Sequence, residues 1–282
     1  MRLRPVDRVL LGYVAVTSVV AAARLSSAPT AEWVLLANLL VILLVVLANR
    51  AGEHSWLADL YPVCILLALY GALDLLAGSG GVTTHDAVVQ RWEAAIFGEQ
   101  VSREWWQRAP SRFWSTVLHG AYFSYYLVIP AGPLWFAWKR DRGNLRRVVL
   151  AEVTTFLACY LVFIFFPVAG PYYEFPRPSP EFLDNGAARL VYATLAKGSS
   201  YGAAFPSSHV AGVVAAVLAC AAGSRRLGVV LAVPGFLLTV GVVYCQMHYA
   251  VDAVTGVLLG VVGALVATTA STVDGTSLTD SR

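Results

Sequence analysis

Two short polar clusters interrupt an otherwise almost uncharged sequence: Phe205-Pro206-Ser207-Ser208-His209, and Met247-His248-Tyr249-Ala250-Val251-Asp252. His248 and Asp252 are four residues apart at the start of a long apolar segment. On a helix that spacing leaves the two side chains about 40° apart on one face. The carboxylate can then take the proton of one ring nitrogen and leave the other free as a nucleophile. A plain buried His–Asp contact at a helix end fits the same pair, and the upstream cluster is what favours chemistry. Pro206 suits a first helical turn, where its missing N–H costs nothing. Ser207 and Ser208 follow, so two hydroxyls and free backbone N–H groups at a positive dipole end make a cradle for phosphate. His209 on the same turn can protonate a departing alkoxide while His248 attacks phosphorus. No carboxylate or cysteine cluster has metal-ligand spacing, and neither metal nor cofactor is expected.

The elements that must position these groups are membrane spans. Of 282 residues, 58% are hydrophobic and 13% charged, against about 25% charged in soluble domains. Apolar runs of about 20 residues suffice to cross a bilayer, and about eight are visible, near 7–25, 31–48, 57–77, 114–138, 147–167, 207–222, 227–244 and 251–270. The expected fold is all-α: a polytopic membrane helix bundle of about eight transmembrane helices. Arg2, Arg4 and Arg8 before the first run resemble a secretory signal, but Pro29 and the ordinary span that follows favour retention.

Lys139, Arg140, Arg142, Arg146 and Arg147 crowd one short loop, and Arg225 and Arg226 another. The positive-inside rule puts both loops, and with them both termini, in the cytoplasm. Both motif ends then face the extracytoplasmic side. Residues 1–77 read as N-terminal spans and 78–113 as an interfacial segment in which indoles mix with arginines, as suits the headgroup level. Asp86 and Glu93 in that segment could lean over a pocket. Residues 114–270 form the catalytic core, and 271–282 a disordered tail. Pro171, Pro176, Pro178 and Pro180 make 168–205 loop-like, with Tyr172, Tyr173, Phe175 and Phe182 as an aromatic surface suited to a lid or headgroup contact. Cys64, Cys159, Cys220 and Cys245 lie in or at the ends of apolar runs and read as core residues. His119, near the outer end of the fourth run, suits either a hydrogen-bonded core position or a contact to a substrate hydroxyl.

The pair Phe-Pro-Ser-Ser-His (205–209) and His-Tyr-Ala-Val-Asp (248–252) resembles the second and third motifs of the type 2 phosphatidic acid phosphatase superfamily. The resemblance covers about 147–270 well and the first half loosely. It implies a six-helix lipid-phosphatase-like core, with His248 as nucleophile, Asp252 orienting it, His209 as acid, and Ser207 and Ser208 on the phosphate. Two departures stand out. The family's first motif has a lysine seven residues before an Arg-Pro pair; here Arg177-Pro178 is present, but position 170 is Gly. The third motif's arginine, six residues before its histidine, is replaced by Val242. A branch similar to inositol phosphorylceramide synthases relaxes these positions. Phe166-Pro167-Val168-Ala169-Gly170-Pro171, Trp92-Glu93-Ala94-Ala95-Ile96-Phe97-Gly98 and His119-Gly120-Ala121-Tyr122 look like that branch. Arg177, Lys197 and Arg189, in that order, are the candidates to replace the missing cations.

The expected function is cleavage or transfer of a phosphate on a lipid, with the bilayer and a lipid phosphate as partners and no nucleic acid. The competing reading is a non-catalytic membrane protein or transporter using a buried His–Asp relay.

Overall fold

The computed structural model describes residues 3–51, 55–77, 82–198 and 200–279, the last nine of these as backbone only. Among the described residues, six helical stretches are long and apolar enough to cross a membrane: Pro5–Arg24 (α1), Ala31–Arg50 (α2), Trp56–Leu76, Arg142–Phe165 (α9), Arg225–Tyr244 (α14) and Ala250–Ala270 within α15 (Ala250–Thr279). The third stretch is broken at Ile65 into α3 (Trp56–Cys64) and α4 (Leu66–Ala77), three residues after Pro62. The two remaining apolar runs fold as the 16-residue α13 (Ser208–Gly223) and as α7 (Arg112–Phe123) joined to α8 (Tyr125–Trp138) at Ser124. All eight runs are thus helical, in an all-α polytopic bundle with no strand among the described residues. A lone bridge pairs Val168 with Ala203.

Between the spans lie two short amphipathic helices, α5 (Asp86–Phe97) and α6 (Val101–Arg108). Segment 168–205 is more ordered than its prolines imply. It holds α10 (Pro171–Glu174), α11 (Pro180–Leu183) and the 13-residue α12 (Gly186–Gly198). Each proline sits where its missing N–H is harmless, and the stretch after Pro180 is free of proline, so α12 can form. The backbone of α15 continues as helix to Thr279, past the apolar run and through most of the segment expected to be an unstructured tail. Residues 280–282 lie outside the described residues.

Helix α9 is the axis of the bundle, with α13, α15, α1, α8, α3 and α4 against it. Lipid-tail solvent gives no hydrophobic reward for joining helices, so close packing of small residues must do it. Gly256 and Gly260 of α15 lie directly on α13: a Cβ on Gly256 would meet the Ser207 carbonyl oxygen at 2.7 Å. This close crossing brings the two motifs together. At the opposite end of the bundle, two buried carboxylates tie the N-terminal helices to one another and, through Asp59, to α9. Asp7 accepts from Arg4, Asn49 and Tyr61. Asp59 is within ion-pair distance of Arg4, Arg142 and Arg146.

Gly256→Leu is expected to prise α13 from α15 and cost about 1–3 kcal/mol, the usual penalty of overpacking. The measurement is thermal unfolding in detergent, where Gly256→Leu should fall below Gly256→Ala. Unchanged midpoints for both would contradict the close crossing.

Candidate active site

The turn between α14 and α15 carries His248, which is not on the helix. Helix α15 starts at Ala250, two residues later. Gln246 takes a left-handed backbone conformation (φ 59°), and the N–H groups of Met247 and His248 both donate to the Val242 carbonyl. Gln246 is pinned from both sides: it accepts from the Trp106 indole at 2.9 Å and donates to the Pro176 carbonyl at 2.8 Å. The helical His–Asp stack expected from the spacing is therefore replaced by a capping arrangement. Asp252 is the third residue of α15 and accepts the N–H of Tyr249, just before the helix, at 2.9 Å, as an acid at that position commonly does. The same oxygen lies 3.4 Å from His248 Nδ1. The better partner of Nδ1 is the Ala204 carbonyl, at 3.0 Å. A carbonyl can only accept, so Nδ1 carries the hydrogen and Nε2 keeps its lone pair.

The start of α15 is held from outside the motifs by α5. Glu93 is fully buried. It accepts the N–H groups of Ala250 at 3.1 Å and Val251 at 3.0 Å, and those of Val101 and Ser102, which open α6, also face it. Burial pushes its carboxyl above the ordinary range, and these N–H groups pull the other way. One helical heptad earlier, Asp86 accepts from the N–H groups of Ala169 and Gly170 at 2.8 Å each and from the Tyr249 hydroxyl at 3.1 Å. Both acids support the site as fixed acceptors buried in the scaffold, and neither lines its cavity. Their seven-residue spacing on one helical segment is the signal that could have assigned them this role.

Helix α13 begins at Ser208, with Ser207 as its cap. The Ser207 hydroxyl accepts from its own helix, at the Val210 N–H, and the residue is fully buried. The hydroxyl expected on the phosphate thus serves as the cap of α13, and Pro206 lies before the cap, outside the first turn. The Ser207 N–H donates to the Asp252 carbonyl at 3.0 Å, a direct bond between the two motifs. Ser208 and His209 occupy the first turn, their N–H groups without an acceptor among the described residues. Ser208, His209 and His248 line one cavity of about 140 Å³. The two imidazole rings are 5.8 Å apart, centroid to centroid, and His209 rests on Tyr122 and Tyr125 at 4.7 and 4.6 Å. Seven of the lining residues are tyrosines, and no Lys or Arg is among them.

The other candidates fall elsewhere. His119 is buried away from the cavity. Its Nδ1 donates to the Ser115 carbonyl at 2.8 Å and lies 3.4 Å from Cys245 Sγ, which makes it a core histidine. Arg177 is stacked between Tyr172 and Tyr192, its guanidinium carbon 5.8 and 5.5 Å from the ring centres; only Tyr172 of this stack lines the cavity. Lys197 is exposed on α12 next to Gly198, which lines it. Arg189 is exposed and pairs with Asp184. The two absent cations have steric explanations. Gly170 has φ +92°, and a Cβ there would meet that of Ala204 at 2.8 Å. Val242 is fully buried in α14. Among the described residues no three His, Cys, Asp or Glu side chains converge as a metal site.

A family model described as the PAP2 superfamily matches residues 89–266, more than half of the chain. The chain belongs to the PAP2 superfamily. No curated protein and no solved structure matches it. In this PAP2 chain the match opens inside α5 and closes inside α15, so it contains both histidines, Asp252 and Glu93, and leaves α1–α4 outside.

Burial lowers the His248 pKa to about 4, against a smaller upward pull from the Ala204 carbonyl. An unfolded chain would bind this proton near pH 6.5, so acid favours unfolding as pH falls from about 6.5 towards 4. Imidazole ¹⁵N NMR in detergent should show one ring, absent from His248→Gln, that is still neutral at pH 5. A midpoint between 6 and 7 for that ring would contradict the buried, carbonyl-held geometry.

Proposed function

We propose that this PAP2 chain is a metal-independent lipid phosphatase or phosphotransferase that works through a phosphohistidine. The observation that carries the reading is that His248 and His209 line one tyrosine-rich cavity with their rings 5.8 Å apart, His248 Nδ1 being engaged and Nε2 making no hydrogen bond. The phosphate enters with its oxygens towards the first turn of α13, where the N–H groups of Ser208 and His209, the Ser208 hydroxyl and the helix dipole favour an anion. His248 Nε2 attacks phosphorus, the P–O bond to the lipid breaks, and protonated His209 gives its proton to the leaving oxygen. Water or an alcohol then attacks the phosphohistidine. His209 takes the attacking proton, and Nε2 recovers its lone pair as the P–N bond breaks. Asp252 acts through His248 and through the start of α15.

Resemblance to the inositol phosphorylceramide synthase branch in segments 92–98, 119–122 and 166–171 favours transfer to an alcohol over hydrolysis. The site opens at the end of the bundle opposite the cations at 139–147, which supports an extracytoplasmic active site with both termini inside. A relay without catalysis, the competing reading, would need neither a second histidine across the cavity nor an anion-binding helix start beside it.

His248→Ala is expected to abolish turnover of a lipid phosphate together with the phosphoenzyme, trapped in base after incubation with ³²P-labelled substrate. His209→Ala should slow alkyl phosphates about 10²–10⁴-fold, the usual worth of a general acid, and nitrophenyl phosphate much less. Equal losses on both substrates would remove the acid role from His209, and a surviving phosphoenzyme in His248→Ala would remove the nucleophile. For the topology, a single cysteine at Gly198, which is exposed beside the cavity, should react with an impermeant maleimide in intact cells. Reaction only after permeabilisation would invert the orientation.

A further inference from the structure

A second, larger cavity of about 450 Å³ adjoins the first. Its floor includes Leu73 and Phe163, and its polar lining includes Arg24, Ser27, Thr83 and Tyr201. Ser200 and Ala203 line both cavities and form the partition. Helix α4 positions that partition: Tyr70 accepts the Ser200 N–H at 3.2 Å, and Asp74 accepts the Ser200 hydroxyl. Arg24, at the end of α1, donates one N–H to the Leu76 carbonyl at the end of α4. The remainder of this half-buried guanidinium belongs to the chamber wall, and it is the chamber's only Lys or Arg among the described residues. Seven of its fifteen lining residues, from Arg24 to Thr83, lie before the PAP2 match begins at residue 89.

We infer that this chamber holds the headgroup of the phosphoryl acceptor: a second lipid whose headgroup bears a free hydroxyl and one negative charge. The inference rests on the phosphohistidine reading and adds to it where the acceptor waits and what it is. The charge follows from Arg24 in a wall otherwise made of hydroxyls and apolar groups; an uncharged alcohol would leave that guanidinium without a partner in the ligand. The lipid character follows from the apolar floor at the outer ends of membrane spans. With the headgroup across the Ser200 partition, its hydroxyl oxygen attacks the phosphorus on His248 Nε2. The O–P bond forms, the P–N bond breaks, and the hydroxyl proton passes to His209, left neutral by the first half-reaction. The acceptor leaves as its phosphate monoester.

Binding and transfer are read separately on the full chain in detergent. Dioctanoyl phosphatidylglycerol, which carries one charge and free hydroxyls, is titrated onto the His248→Ala protein. It should bind saturably and more tightly than uncharged dioctanoylglycerol. Arg24→Gln and Thr83→Trp should each weaken it about ten-fold or more, the scale of losing one charged hydrogen bond, while Arg24→Lys retains part of the affinity. Arg91→Gln, on the exposed face of α5, should leave binding as it was. With the intact protein and dioctanoyl phosphatidate as donor, the same lipid should be phosphorylated, with an acceptor KM raised about ten-fold by Arg24→Gln. Equal affinity for both lipids, or binding indifferent to Arg24→Gln and Thr83→Trp, overturns the chamber. Arg24-dependent binding without phosphoenzyme or phosphate release from the donor overturns the acceptor role together with the reaction assigned above, while the anionic-lipid site stands.

Discussion

The geometry of this site depends on how one helix start is satisfied. The first N–H groups of α15 are buried beside an apolar core, where unpaired donors would be costly. Tyr249, Ala250 and Val251 are all buried, and the sequence supplies two carboxylates as acceptors. Asp252 turns back onto the N–H of Tyr249, and Glu93 takes those of Ala250 and Val251. His248 is one residue before this fully bonded turn and has no freedom that the turn does not grant it. Glu93 also faces the opening N–H groups of α6, so a single carboxylate holds the starts of α6 and α15 together. Asp86 extends the frame to Gly170 and Tyr249. The candidate site is thus braced from outside the long apolar helices, by the short helix α5.

This dependence explains what could and could not be seen in the chain itself. The eight apolar runs, the two motifs and the amphipathic character of 78–113 were legible because each is a local pattern of hydrophobicity or spacing. The role of Glu93 was not, since nothing local to it says that its partners lie more than 150 residues away. The same holds for Ser207: a serine before a helix can cap it or hold a ligand, and only burial decides. The i,i+4 spacing of His248 and Asp252 suggested one helical face, yet Asp252 is worth more as the acceptor of the Tyr249 N–H, so the helix begins after His248. Prolines in 168–205 correctly excluded one continuous helix, but their density drew attention from the proline-free stretch that becomes α12. The break at Ser124 has no sequence signal of its own, since Pro130 and Pro133 both lie inside α8.

The vacated cation positions are a consequence of packing. Gly170 is the residue through which segment 166–170 presses against Ala204, whose carbonyl holds His248, and Val242 supplies the carbonyl that closes the His248 turn. A lysine at 170 would need space that Ala204 occupies, and its backbone would have to hold a conformation that side chains disfavour. The arrangement that orients His248 therefore excludes a lysine at position 170 outright.

A phosphate in such a cavity meets dipoles before it meets charges. The first turn of α13 presents backbone N–H groups whose orientation is fixed by the Ser207 cap and by the Ser207–Asp252 bond, so they need no rearrangement as charge develops on phosphorus. Tyrosine hydroxyls around the walls can donate where a lysine would have pointed. A neutral His248 suits this setting, because a nucleophile protonated at rest would have to lose its proton before each attack, and burial removes that step. In the proposed mechanism the proton for the leaving oxygen comes from His209, which lies against two tyrosine rings and 5.8 Å from the His248 ring. Two imidazoles in one cavity disfavour each other's protonation, so at most one is charged at a time. The Ala204 carbonyl on Nδ1 leaves His248 Nε2 as the attacking lone pair, and in the proposed mechanism His209 is the partner left to carry the proton.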